Sequence, residues 1–445
     1  MIQLSDKFSY PRLLRFTLPS ILMMIFTSVY GVVDGFFVSN YVGKTPFAAV
    51  NLIMPVLIIT GCIGFIFGTG GAALISKTVG EGDRKRANAI FSMNVWVSAG
   101  LGVAVATIGF VLMPTLARLL GAEGALLDNC VLYGRINLIA LPFFILQYEF
   151  QCLFAAAEKP KLGLYVTLAS GFTNMILDWL FVAVFRFGLA GAAVATSLSQ
   201  FIGGAVPLVY FALPNKSLFR LCRPCFDLKA IARTCSNGSS EFMSSVSSSI
   251  VGMLYNFQLM KYAGESGISA YGVLMYVSLV FHSIFIGYSV GSSPIISYNF
   301  GAENYTRLRE MMKKGLVIIS VSAAAMFAAG ELLSEPFARL FVSYDAELLE
   351  MTTRAFRFYS FSFLPSGFSI FGSAFFTALN DGLTSALISF LRTLVFQVAA
   401  VLIFPLIWEL DGIWLSIIGA EVMAIIVTSV FFIAKRKKYH LTAEK

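Results

Sequence analysis

Charge is what this chain has least of. Asp, Glu, Lys and Arg make up 13% of its 445 residues, about half the share of a soluble globular protein, while apolar residues make up 58%. With a mean hydropathy of +0.80, that scarcity excludes a cytosolic enzyme, a disordered chain and a secreted disulfide scaffold. It specifies a polytopic membrane protein. Histidine occurs twice, and the six cysteines are scattered. Cys222-x-x-Cys225 has no second pair or histidines to complete a tetrahedral metal site, so reduced thiols are expected there. No Walker A motif is present and no soluble segment is long enough for a nucleotide-binding domain. The chain therefore reads as a non-enzyme without a cofactor, and transport by it must draw on an ion gradient or a partner chain.

The long apolar runs are abundant. A hydrocarbon core of about 30 Å takes around 20 apolar residues per helix. That ruler predicts twelve spans, at 13–38, 47–73, 88–113, 131–156, 162–185, 189–213, 236–261, 268–294, 315–334, 351–379, 383–408 and 412–434. The first is too long for a signal-peptide core and carries Asp34, so it reads as a retained helix. Of the 32 Lys and Arg, 23 fall on the side holding both termini, which predicts cytoplasmic termini in a cell membrane. The net charge of +8 thus reflects topology and lipid contact, and gives no sign of a nucleic-acid partner.

The second half repeats the first at a shift of 221. Gly70, Ser76, Gly80 and Arg86 match Gly291, Ser297, Gly301 and Arg307, and Gly191 matches Gly412; Pro142 and Pro365 align at 223. The expected fold is therefore an all-α membrane protein with two pseudo-symmetric six-helix bundles in the same orientation, one repeat plan of secondary transporters. The expected organisation is an N-terminal lobe at 1–213, a basic linker at 214–235, a C-terminal lobe at 236–434 and a basic tail at 435–445.

Five acids lie inside predicted spans: Asp34, Glu149, Asp178, Glu241 and Glu421. A carboxylate at a helix centre costs about 2.5 to 3.5 kcal/mol on insertion scales, so such residues face the bundle interior and are functional candidates. Asp34 stands 19 residues beyond Arg15, roughly 28 Å along the helix, and Asp178 lies 8 residues before Arg186, so both belong to the half remote from the termini. Tyr30 and Asn174 precede them by four residues, which places each pair on one helix face. Two carboxylates, an amide and a phenol can then share a pocket. Two close carboxylates favour capture of a proton, and their oxygens also suit Na+. Glu241 sits among the small hydroxyl residues of 236–249, near the terminal side, where it would attract a cation. Glu149 and Glu421 are both candidates to pair with Arg392, the one basic residue deep within a span. His282 reads as a packing residue. Pro19 removes a backbone bond from helix 1 and can seed a kink. Tyr255, Phe257, Met253, Met260 and Met275 are candidates for an adaptable cavity wall.

Several of these residues carry a resemblance. Leu18-Pro19, Tyr30-Gly-Val-Val-Asp34, Gly80-Glu-Gly-Asp-Arg84, Asn174-Met-Ile-Leu-Asp178, Pro294-Ile-Ile-Ser-Tyr-Asn-Phe-Gly301 and Gly412-Ile-Trp-Leu resemble the multidrug and toxic compound extrusion (MATE) family over essentially the whole chain. The resemblance implies a monomeric antiporter that expels amphipathic, often cationic organic compounds in exchange for H+ or Na+. It implies an N-lobe ion site of Asp34, Asn174, Asp178 and Thr196 with Tyr30 nearby, a bending role for Pro19 and a second cation-handling position at Glu241. The second-half acid that many relatives carry on helix 10 is replaced here by serines, Ser362, Ser366 and Ser369. A flippase of lipid-linked sugars is the alternative; it would call for several basic residues in the cavity, where only Arg392 is available.

Overall fold

The computed structural model describes residues 2–224, 226–343 and 345–442. Among the described residues twelve spans follow one another. Spans 1 to 4 are Tyr10–Tyr41, Lys44–Gly80, Arg84–Leu119 and Gly124–Ala156. Span 5 is Pro160–Asp178, continued by a π-helical stretch Trp179–Val184, and span 6 is Gly188–Ala212. Spans 7 and 8 lie in the continuous helical run Leu228–Gly301, which turns back at Gly264 with φ 61° and ψ −150°. Only glycine takes that conformation without strain.

Span 9 is Tyr305–Leu332, followed by a short amphipathic helix Ser334–Val342. Span 10 consists of Ala346–Ser360 and Phe363–Ala378, bent by 49°. Pro365 stands just past the bend, and its ring excludes the carbonyl four residues earlier. Span 11 runs Gly382–Phe390, then a π-helical stretch Leu391–Val395, then Phe396–Ile403; span 12 is Pro405–Lys435, broken in its first turn at Glu409.

The repeat is visible at single hydrogen bonds. Asp83 caps span 3 by accepting from the Arg86 amide at 2.9 Å, and Asn304 caps span 9 by accepting from the Arg307 amide at 3.1 Å. A left-handed residue ends both span 4 and span 10, Glu158 at φ 60° and Asn380 at φ 59°. The two halves meet through reciprocal contacts of spans 2 and 8. Gly80 lies against the Tyr298 carbonyl, and Gly301 against the Lys77 carbonyl, so close that a Cβ on either glycine would overlap backbone. Spans 2 and 8 therefore seal the lobes together at the end that carries both termini. Farther from that end Ser28 and Ser283 still bridge spans 1 and 8, with hydroxyls 2.5 Å apart, but Gly31 and its counterpart Gly252 have open space around them.

Two segments differ from the sequence expectation. Span 7 begins at Leu228 because the Asp227 carboxylate caps it, accepting from the amides of Lys229 and Ala230 at 2.9 and 3.2 Å, so among the described residues of the linker 214–224 and 226–227 are non-helical. The tail folds back: Lys435 and Tyr439 each donate to Asp381 at 2.6 Å, and the Tyr305 and His440 rings meet at a tilt of 35° with centroids 4.3 Å apart. Cys222 is exposed on the linker and Cys225 lies outside the described residues.

Candidate ion site and cavity

Asp34 and Asp178 face each other across spans 1 and 5. Asp34 is 5% exposed and Asp178 fully buried. Asp178, Thr196 and Asn174 surround the Asp34 carboxylate, with the Thr196 hydroxyl donating to its Oδ1 at 3.4 Å. Both Asp178 oxygens and the Asn174 Oδ1 are buried without a hydrogen-bond partner. Three acceptor atoms converge with no cation among the described residues to meet them; burying such atoms unpaired is costly. A proton shared by the carboxylates, or a small bound cation, satisfies the arrangement.

Tyr30, one turn before Asp34, completes the wall and meets Gln147. Gly171 on span 5 has no Cβ, which leaves room for the Phe26 and Tyr30 rings. The π-helical stretch of span 5 begins at the residue after Asp178, and such widened turns recur at functional sites. Span 4 contributes two residues the sequence analysis did not single out. Gln147 reaches the Ser170 hydroxyl at 3.4 Å, and Tyr133, 1% exposed, lies near both acids with its hydroxyl unpartnered. A tyrosine and a glutamine in an apolar span were the available signal.

The other acids separate. Glu149 is fully buried and accepts from the Ser98 hydroxyl, while its second oxygen has no partner. Glu421 is the acid that takes Arg392, through Nε at 3.0 and 2.9 Å and Nη2 at 2.9 Å. That pair lines a cavity of about 400 Å³ between the lobes, built mainly by the C-terminal one and shared with Glu241, Tyr255, Met275, His282 and Tyr359. His282 places its Nδ1 2.9 Å from the Ser278 carbonyl, and Tyr255 donates to Gln397 at 2.8 Å while stacking on Tyr271.

Tyr255 and Met275 thus line this cavity. Met253, Phe257 and Met260 do not: they are exposed and lie outside its lining. A residue two positions from Tyr255 points about 200° away around the helix, so one helix cannot bring all of them to one wall. Span 1 passes Pro19 as continuous helix, with Pro19 buried.

The MatE family model matches residues 19–180 and again 242–403, once in each half. The multidrug export protein MepA of Staphylococcus haemolyticus is 25% identical over 438 residues, 98% of this chain and 95% of that protein. Among solved structures, a MATE protein in complex with MaL6 superposes with a TM-score of 0.93 at 20% identity, covering 98% of both chains. The outward-facing conformation of a multidrug resistance MATE family transporter of the MOP superfamily gives 0.92 at 22% identity, also over 98% of both.

Proposed function

The chain belongs to the MatE family, and from that premise we propose that it is a secondary antiporter of the cell membrane, with both termini cytoplasmic, exporting amphipathic organic cations in exchange for H+ or Na+. The observation that carries this reading is the buried Asp34–Asp178 pair, which has no counter-charge among the described residues, while a separate cavity between the lobes is built mainly by the C-terminal one. Asp34, Asp178, Asn174 and Thr196 hold the coupling ion, with Tyr30 shaping the pocket, and no cofactor takes part. Glu241 receives the cationic group of the substrate, beside Tyr255 and Met275.

Binding of the ion relieves the unpaired acceptors and lets the N-lobe pack differently, with Pro19 as the point at which span 1 bends. Opening of the reciprocal glycine contacts then exposes the cavity to the terminal side. The flippase alternative gains no support from the cavity, since its single guanidinium is spent on Glu421.

The test is efflux of a fluorescent organic cation from proteoliposomes under an imposed pH gradient or an imposed Na+ gradient. The gradient that drives export through the wild type, and fails with Asp34→Asn, identifies the ion. Undiminished export by both Asp34→Asn and Asp178→Asn would remove the ion-site assignment.

A further inference from the structure

The cavity contains two carboxylates and one guanidinium. Arg392 directs Nε and Nη2 at Glu421, whose side chain is only 6% exposed. Glu241 makes no ion pair or hydrogen bond among the described residues, yet it lines the same cavity and the charge that acts on it is Arg392. His282 turns its Nδ1 to the Ser278 carbonyl and its ring to Phe285 and Phe363. With a ligand cation holding Glu241 ionised, the two carboxylates and the guanidinium sum to one negative charge.

We infer that Arg392 is a specificity-determining residue that acts as a tethered counter-ion, occupying Glu421 so that the cavity offers one carboxylate and selects organic monocations over dications. The inference rests on the reading of Glu241 as the substrate-receiving acid. Its physical basis is that charge in a half-enclosed cavity is balanced mainly by its neighbours, because water and salt screen it less than they do at a surface. Arg392 also sits in the π-helical stretch of span 11, the kind of widened turn that recurs at functional sites.

The count makes a different prediction for each substitution. Arg392→Gln leaves two carboxylates and a place for a second positive charge. Glu421→Gln frees Arg392 to pair with Glu241, which removes the only available acid. Arg392→Gln with Glu421→Gln restores one negative charge without the ion pair; the amide at 421 matches the carboxylate it replaces in shape, and the one at 392 is shorter than the guanidinium side chain.

The experiment is equilibrium binding to the purified full chain, without a gradient, of two phenanthridinium dyes that share a ring system, ethidium with one positive charge and propidium with two. Arg392→Gln is expected to shift the affinity ratio at least tenfold toward propidium, and the double variant to return it to within about threefold of the wild type. Glu421→Gln is expected to lose at least tenfold in affinity for both dyes. The same ratio in Arg392→Gln and in the double variant would overturn the inference, as would unchanged ethidium binding by Glu421→Gln. Should Arg392→Gln not fold, Glu421→Gln and the double variant still decide it. Vesicle efflux keeps the readings apart: no export by the wild type with the predicted binding ratios removes the antiporter alone, whereas normal export with unshifted ratios removes the charge rule alone.

Discussion

The two lobes share a backbone plan and treat buried charge in opposite ways. In the N-lobe, Asp34 and Asp178 stand together, and both Asp178 oxygens are without a hydrogen-bond partner among the described residues. In the C-lobe, Glu421 is held by three contacts from Arg392. Both arrangements adjoin a π-helical stretch in equivalent spans, 5 and 11. On the reading proposed above, one lobe is completed by a cation from outside and the other carries its own. Such an asymmetry suits an exchanger, because two identical sites would compete for the same ligand.

Transport offers the largest test of the contrast. Asp178→Asn and Asp34→Asn are each expected to lower ion-driven efflux at least a hundredfold with folding intact, whereas the Arg392→Gln, Glu421→Gln double variant keeps monocation efflux within a few-fold of wild type. Initial rates in proteoliposomes measure both. Equal losses in the two lobes would erase the proposed division of labour.

Stability separates the lobes with opposite signs. Arg392→Met strands the Glu421 carboxylate, a change that costs about 3–5 kcal/mol in a fully buried pair and less here because the site opens on a cavity. A fall in Tm of several degrees in detergent is expected. Asp178→Asn removes an uncompensated buried acid and is expected to hold or raise Tm. A fall in both variants would mean that Asp178 has a stabilising partner.

Much of this was legible in the sequence, and the limits are physical. The i, i+4 pairs Tyr30/Asp34 and Asn174/Asp178 marked helix faces because spacing alone sets them. The repeat predicted the lobes, since Gly80 and Gly301 recur where backbones touch. Depth along a helix was readable, but its rotation against neighbours was not, so Gln147 and Tyr133 were missed and Met253, Phe257 and Met260 were assigned to a wall they do not face. Arg392 had two acids within reach in depth, Glu149 and Glu421, and only packing selects the one on adjacent span 12.

The sealed end is where the lobes should behave alike. Gly80→Ala and Gly301→Ala each place a methyl on a backbone carbonyl of the other half, and each is expected to shift the population toward separation of the lobes at the terminal side. Distances between spin labels on the 2/3 and 8/9 loops report it. A response from one glycine alone would break the reciprocity.

The smallest expected effect concerns the loops that follow spans 4 and 10, each of which captures one chain terminus. Glu158 accepts from the Leu4 amide at 2.7 Å, and Asp381 accepts from Lys435 and Tyr439. Burial raises the Glu158 carboxyl above its ordinary value, against the opposing pull of the Leu4 amide. Burial would also raise Asp381, but its hydrogen bonds from Lys435, Tyr439 and Thr384 outweigh it and hold that carboxyl below the usual range. The linkage signs follow from the proton counts. Asp381 stabilises the fold above its unfolded value, about 3.9, and loses that contribution as pH falls through the folded one. Glu158 binds its proton more tightly when folded, so its contribution is present below the unfolded value, about 4.3, and is lost as pH rises through the folded one. At neutral pH Asp381→Asn should therefore lower Tm by a few degrees and Glu158→Gln should raise it slightly, with both differences closing in acid. Thermal unfolding of the two variants between pH 3 and 8 checks this, and a shared sign would show that the two termini are held by the same electrostatics after all.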